Sequence, residues 1–137
     1  MPKVNGISET ALYVDNVNRS IKFYKTIFNF DVMQSEERLA ALNIKKGQVL
    51  LLFKKGAFVK ATKTPGGIIP PSDGKGELHL AFSVTKSKLD EWEKWLLENK
   101  IQIESRVKWD RGGESIYFRD PDKHSIELAL PRIWSND

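Results

Sequence analysis

Apolar and polar positions alternate along the chain in two matching series. The run ISETALYV, at about 7–14, turns Leu12 and Val14 to one side and Glu9 and Ala11 to the other, because residues two apart on a strand share a face. Asp15-Asn16 then reads as a turn, and a helical period over about 17–28 carries Ile21, Tyr24, Lys25 and Phe28, with Asp15 or Asn18 as the expected cap. Strands are expected at about 30–36, 38–45 and 48–54, the last two joined by a Lys-Gly turn. The second series opens at about 77–84 with GELHLAFS. A helix over about 86–99 follows, with Leu89, Trp92, Trp95 and Leu96 inward and Lys88, Asp90, Glu91, Lys94 and Glu98 outward. Strands at about 101–108, 114–119 and 124–130 complete it, the last pair joined by Asp-Pro-Asp-Lys. Each half spells β-α-β-β-β. Between them, ATKTPGGIIPPSDGKG (about 61–76) reads as a linker or a lid, and not as a strand.

Three ionisable residues stand alone on the small-residue faces of this pattern. Glu9 shares its face with Ala11, His79 with Ala81 and Ser83, and Glu127 with Ser125 and Ala129. The opposite faces are apolar, as in Leu78, Leu80 and Phe82, or Ile126, Leu128 and Leu130. Superposing the halves lays Glu9 on His79 and Leu51 on Glu127, so two related sheets facing one another bring these positions together. Two carboxylates and an imidazole with small neighbours are metal-ligand chemistry. Taken singly, each has an ordinary reading as a solvated or hydrogen-bonded side chain; the joint placement raises the sharper one. His124, in the turn before the last strand, reads as a turn residue, and Phe23, Tyr24, Ile27, Phe28, Trp92 and Trp95 read as packing.

Composition narrows the classes. A chain of 137 residues is one domain or two small modules, long enough to bury roughly two-thirds of its unfolded surface without a disulfide. The charge of +4 is scattered, with no basic stripe for nucleic acid. There is no cysteine, which removes thiolate nucleophiles and Cys-ligated zinc and fits a reducing compartment. No apolar run approaches a membrane span, and the N-terminus lacks a signal-like apolar stretch, so a cytoplasmic protein is expected.

Three segments carry a family resemblance: ALYVDNVNRSIKFYKTIF, HLAFSV and GGESIYFRDPDKHSIELA. Together they resemble the vicinal oxygen chelate superfamily of glyoxalases, extradiol dioxygenases, fosfomycin-resistance enzymes and bleomycin-resistance proteins. The resemblance implies an α+β fold: two tandem βαβββ modules, about 7–60 and 77–134, forming a curved, cup-shaped mixed sheet with helices outside, in a single domain over 1–137. It places ligand positions at Glu9, Leu51, His79 and Glu127. Leu51 departs from the pattern, since glyoxalase I-like enzymes resemble one another in having a carboxylate there. Glu9 departs too, standing where ring-cleaving dioxygenases and fosfomycin enzymes look to have a histidine.

The implied protein is an enzyme holding one divalent ion (Mn²⁺, Fe²⁺, Ni²⁺ or Zn²⁺) on Glu9, His79 and Glu127. It would act on a small polar substrate with adjacent oxygens by isomerase, lyase, dioxygenase or transferase chemistry. Glu127 is expected as a ligand first and as the catalytic acid or base if it swings free. Arg111 and Arg132 are candidate clamps for an anionic group, Trp109 and Trp134 candidate walls for a planar substrate, and Lys54 a weaker contact. A homodimer is expected, and the alternative function is a metal-free binder like the bleomycin-resistance proteins.

Overall fold

Two short capping interactions set the first helix of the computed structural model, which describes residues 1–136. Asn16 lies in an extended conformation and its side-chain oxygen accepts the Arg19 N–H at 2.9 Å; Asn29 closes the other end in the left-handed region (φ 56°), its N–H bonded to the Lys25 carbonyl. Between them runs α1 (Val17–Phe28), as the periodicity predicts. The cap is Asn16 rather than Asp15 or Asn18, because the helix begins at Val17 and the residue immediately before it is the one whose side chain reaches the unpaired N–H groups of the first turn.

The chain divides into two units, Met1–Gly76 and a second from Glu77 onward. The first contains β1 (Glu9–Val14), α1, β2 (Asp31–Ser35), β3 (Leu39–Lys45) and β4 (Gln48–Lys54) in a sheet of order β1-β4-β3-β2. β1 and β4 are parallel and the other pairs antiparallel. The parallel pair requires a crossover, which α1 opens. Leu12, Val14, Ala40, Leu42, Leu50 and Leu52 form one buried face of this sheet, and Val17, Tyr24 and Ile27 are the buried side of α1.

The second unit repeats the plan with β7 (His79–Ser83), a single 3₁₀ turn, α2 (Leu89–Glu98), β8 (Ser105–Lys108), β9 (Glu114–Arg119) and β10 (Ser125–Ala129), ordered β7-β10-β9-β8. Again the first and last strands are parallel. Ile116, Phe118, Ile126 and Leu128 are buried on one face, as are Leu89 and Leu96 of α2. Arg106 of β8 binds Asp90 and Glu93 of α2 at 3.1 and 2.7 Å, holding the helix to that same face. The fold is thus α+β with two βαβββ modules. In the β9–β10 turn, the Asp120 carboxylate accepts the N–H groups of Asp122 and His124, each at 2.9 Å. His124 is fully buried, and its Nδ1 accepts the Leu78 N–H at 2.9 Å.

Three expectations need correction. The Gly/Pro segment holds a short hairpin, β5 (Thr62–Thr64) with β6 (Gly67–Ile69), turning at Pro65-Gly66 and braced by Thr64 Oγ1 donating to the Gly67 carbonyl at 2.7 Å. It is also strapped to its own unit: the Tyr13 and Ser72 hydroxyls are bonded, and Ser72 N–H donates to the Phe58 carbonyl. The strand expected over 101–108 starts only at Ser105. Residues before it are spent leaving the helix, with Lys100 at φ 60° and the Ile101 N–H bonded back to Leu96. Trp95 is 40% exposed rather than core, because six residues of helix rotate it about 120° away from Leu89; with Trp92, Lys88 and Glu91 it lines a surface groove.

Candidate functional site

His79 begins β7 and Glu127 sits in the middle of β10. The parallel register pairs His79 with Ser125 and Ala81 with Glu127, so both functional side chains rise from one face, one step apart. The imidazole Nε2 comes to 3.1 Å from Glu127 Oε2, and Nδ1 lies 3.0 Å from the Ser125 carbonyl oxygen. A carbonyl only accepts, so Nδ1 carries the ring proton. A neutral ring then turns the Nε2 lone pair straight at a carboxylate oxygen. Two acceptors face each other, which requires a second proton on the ring or a cation between them. A metal-binding histidine is oriented in this way, through its other nitrogen. The spacing also fits: ligands bound at about 2.1 Å on adjacent corners of an octahedron lie about 3.0 Å apart. The histidine side chain is 52% exposed and the carboxylate 6%, so the pair opens to solvent on one side only.

The second carboxylate oxygen is already committed. Ser115 Oγ donates to Glu127 Oε1 at 2.5 Å, and Trp109 Nε1 donates to Ser115 Oγ at 2.9 Å. Tyr117 lies directly across from Glu127 in the antiparallel register, and its ring stacks near the imidazole at 6.1 Å between centroids. Burial raises the Tyr117 pKa above its ordinary value, and the charge and hydrogen bond of Glu127 raise it further. Among the described residues no buried side-chain polar atom is left without a partner.

Trp109, Arg111 and Arg132 meet at one corner of the second unit. Trp109 and Gly113 close a tight turn through Trp109 N–H to the Gly113 carbonyl and Gly112 N–H to the Trp109 carbonyl, both 2.9 Å. The tail packs on this turn so closely that a Cβ on Gly113 would lie 2.6 Å from Ile133 Cγ2 and 2.7 Å from the Pro131 carbonyl. The Arg132 guanidinium lies beside Gly112. Arg111 and Trp134 are exposed, the latter at 69%.

In the first unit, Glu9 is exposed at the start of β1, on the face that Ala11 and Tyr13 share. Leu51 occupies the place in its sheet that Glu127 holds in the other: Ala11 pairs with Leu51 as Ala81 pairs with Glu127. Lys54 points to the face opposite Leu51, and its ammonium is 3.6 Å from Glu37. His79 and Glu127 are therefore brought together, with Trp109 tied to them through Ser115. Among the described residues no group of three or more His, Cys, Asp or Glu side chains gathers as a metal site. Ser115 and Tyr117 escaped the sequence reading. The signal was present in the turn Asp-Pro-Asp-Lys: folding ESIYFR back on HSIELAL about that turn puts both on the Glu127 face.

Residues 6–128 match the Glyoxalase/Bleomycin resistance protein/Dioxygenase superfamily, and the chain belongs to that family. Among its relatives is a metallothiol transferase FosB of Staphylococcus haemolyticus, 32% identical over 127 residues, covering 91% of this chain and 83% of the relative. A metallothiol transferase FosB of Shouchella clausii is 30% identical over 133 residues, covering 91% and 80%. Among solved structures, a lactoylglutathione lyase from Agrobacterium tumefaciens superposes with a TM-score of 0.89 at 28% identity, over 98% of this chain and 99% of the other. The fosfomycin resistance protein FosX of Listeria monocytogenes shares the fold, with a TM-score of 0.68 at 22% identity over 93% and 94%. No helix among the described residues is long and apolar enough to cross a membrane.

Proposed function

We propose that this chain is a divalent-metal-dependent enzyme that transfers an external thiol to a small polar substrate with adjacent oxygens. The observation that carries the metal is the His79–Glu127 pair, whose Nε2 and Oε2 face each other at 3.1 Å while Nδ1 meets the Ser125 carbonyl. His79 and Glu127 would hold the ion, with Glu9 as third ligand. When bound, such an ion supplies Lewis-acid polarisation of substrate oxygens. Arg111 and Arg132 would receive an anionic group, and the Trp109 and Trp134 rings would exclude water beside it.

Two features favour thiol transfer over isomerisation. Leu51 stands where resemblance to glyoxalase I would put a proton-moving carboxylate, and an alkyl side chain moves no proton. The relatives named metallothiol transferases span most of the chain. Because the chain has no cysteine, the thiol must come from a cosubstrate. Lys54 is left out of this reading, since it lies on the other face of its sheet and pairs with Glu37. The working unit we propose is a homodimer, in which Glu9 comes from the same chain or from its twin.

Metal analysis of protein purified without a histidine tag tests this. Wild type should hold one divalent ion per site, and His79→Ala and Glu127→Ala should lose it. Thiol consumption with small electrophiles bearing vicinal oxygens should require the loaded protein. Full metal content in both variants would end the proposal, and ligand binding by metal-free protein would favour the binder. Mixing Glu9→Ala with His79→Ala chains should restore about a quarter of the sites if ligands are shared across a dimer, and none otherwise.

A further inference from the structure

Glu127 is a buried carboxylate whose two oxygens have different surroundings. Oε2 faces His79, and Oε1 accepts from Ser115. The direction of the chain behind Oε1 is unambiguous. Indole N–H can only donate and a carboxylate can only accept, so the Ser115 hydroxyl must receive from Trp109 and give to Glu127. Its one proton is thereby given to Glu127, and the Tyr117 hydroxyl also lies within hydrogen-bonding reach of both residues. Ser115 is fully buried, so water does not compete for these bonds, and hydrogen bonds aligned in series strengthen one another.

Resting on the metal reading above, we infer that Ser115 and Trp109 are positioning residues that hold Glu127 as a one-oxygen ligand. With Oε1 occupied by the hydroxyl, only Oε2 is free to meet an ion beside Nε2. Removing the hydroxyl leaves Tyr117 as the remaining hydrogen-bond partner of the carboxylate beside His79, so the group is held less firmly and can chelate with both oxygens, taking a coordination position that a substrate oxygen needs. Trp109 links this restraint to the turn bearing Arg111 and packed by Arg132, so the exposed corner and the ligand are connected by two hydrogen bonds.

The test is calorimetric titration of the full-length chain with Mn²⁺, joined to X-ray absorption of the Zn²⁺-loaded protein. Wild type, Ser115→Ala, Ser115→Thr, Trp109→Phe and His79→Ala are compared. Loss of an outer hydrogen-bond partner costs about 10–100-fold in metal affinity, which is the weakening expected for Ser115→Ala. Ser115→Thr keeps the hydroxyl and should restore most of it, and Trp109→Phe, which keeps the ring and loses the N–H, should fall between. The absorption spectrum of Ser115→Ala should gain a second carboxylate oxygen at the metal. If wild type binds in a His79-dependent way and Ser115→Ala binds equally well with an unchanged spectrum, the inference fails alone. Equal weakening in the alanine and threonine variants likewise refutes it, because packing alone would then explain the loss. If wild type shows no His79-dependent binding, the metal reading falls and takes the inference with it.

Discussion

Glu127→Gln should stabilise the metal-free protein while abolishing its response to metal. In the wild type without a cation, Nε2 and Oε2 confront each other at 3.1 Å, and Oε1 is held by Ser115. The substituted amide has the same shape, with one oxygen and one NH₂. Its oxygen can accept from Ser115 and its NH₂ can donate to the Nε2 lone pair, so every group is satisfied. With the ring carrying only its Nδ1 proton, replacing that contact by a hydrogen bond is worth about 0.5–1.5 kcal/mol, or roughly 2–6 °C in Tm at this chain length. For the wild type, metal at a hundredfold excess over Kd adds about 2.7 kcal/mol to the native state, which is roughly 10 °C by the same conversion. An amide oxygen is a far poorer ligand than a carboxylate, so the variant should lose that shift. Scanning calorimetry with chelator and with Mn²⁺ gives all four values. A variant that melts well below the chelated wild type would show that Glu127 works as the carboxylate half of an ordinary ion pair with a charged His79. Retention of the full metal shift would place the ion elsewhere.

Two further outcomes follow from the same geometry. Glu104 accepts from Arg119 at 2.7 and 3.2 Å, and this hydrogen bond holds its pKa below the ordinary carboxylate value. The stability it contributes is therefore present above about pH 4.5 and lost as pH falls through the lowered value, so urea melts between pH 6 and 3 should show a shallower acid decline in Arg119→Gln than in wild type. Gly113→Ala puts a Cβ within 2.7 Å of the Pro131 carbonyl, a backbone atom that cannot swing aside. That should cost about 1–3 kcal/mol as overpacking and speed hydrogen exchange at residues 132 and 133; an unchanged Tm would mean the tail is not seated on the turn.

Strand periodicity and a repeat were enough to locate most of the scaffold. The limits of α1, β4 and β9 agree with the apolar spacing of VNRSIKFYKTIF, QVLLLFK and ESIYFR, because each has a strong periodic side and a clear turn next to it. His79 and Glu127 were legible for a related reason: an ionisable residue among alanines and serines leaves few explanations. What was hidden depends on partners distant in sequence. Ser115 reads as an ordinary small strand residue until the β9–β10 register sets it beside Glu127. The β5–β6 hairpin is obscured by glycine and proline, whose composition signals turns but not that the flanking threonines and isoleucines pair. Trp95 is exposed despite its hydrophobicity because its angle on the helix, about 120° from Leu89, decides which way it faces.

The two sheets share a register but differ in chemistry, and the differences are concentrated on one face. Position by position, Ala41 stands where Tyr117 does, Leu39 where Ser115 does, and Leu51 where Glu127 does. Glu9 against His79 is the one ligand-capable pair in matching places. The second unit thus carries a carboxylate together with the hydroxyl that fixes it and the phenol across from it, whereas the first has Leu51, Leu39 and Ala41 in those three places. This grouping has a physical cause. A carboxylate buried as deeply as Glu127 requires a donor for the oxygen not given to an ion, so ligand and hydroxyl must be present together. A glutamate at Leu51 would find Ala41 directly across from it on β3, with Leu39 and Asn43 diagonally on either side. No hydroxyl stands in the first sheet where Ser115 stands in the second, so a single substitution at Leu51 does not turn the first unit into a copy of the second.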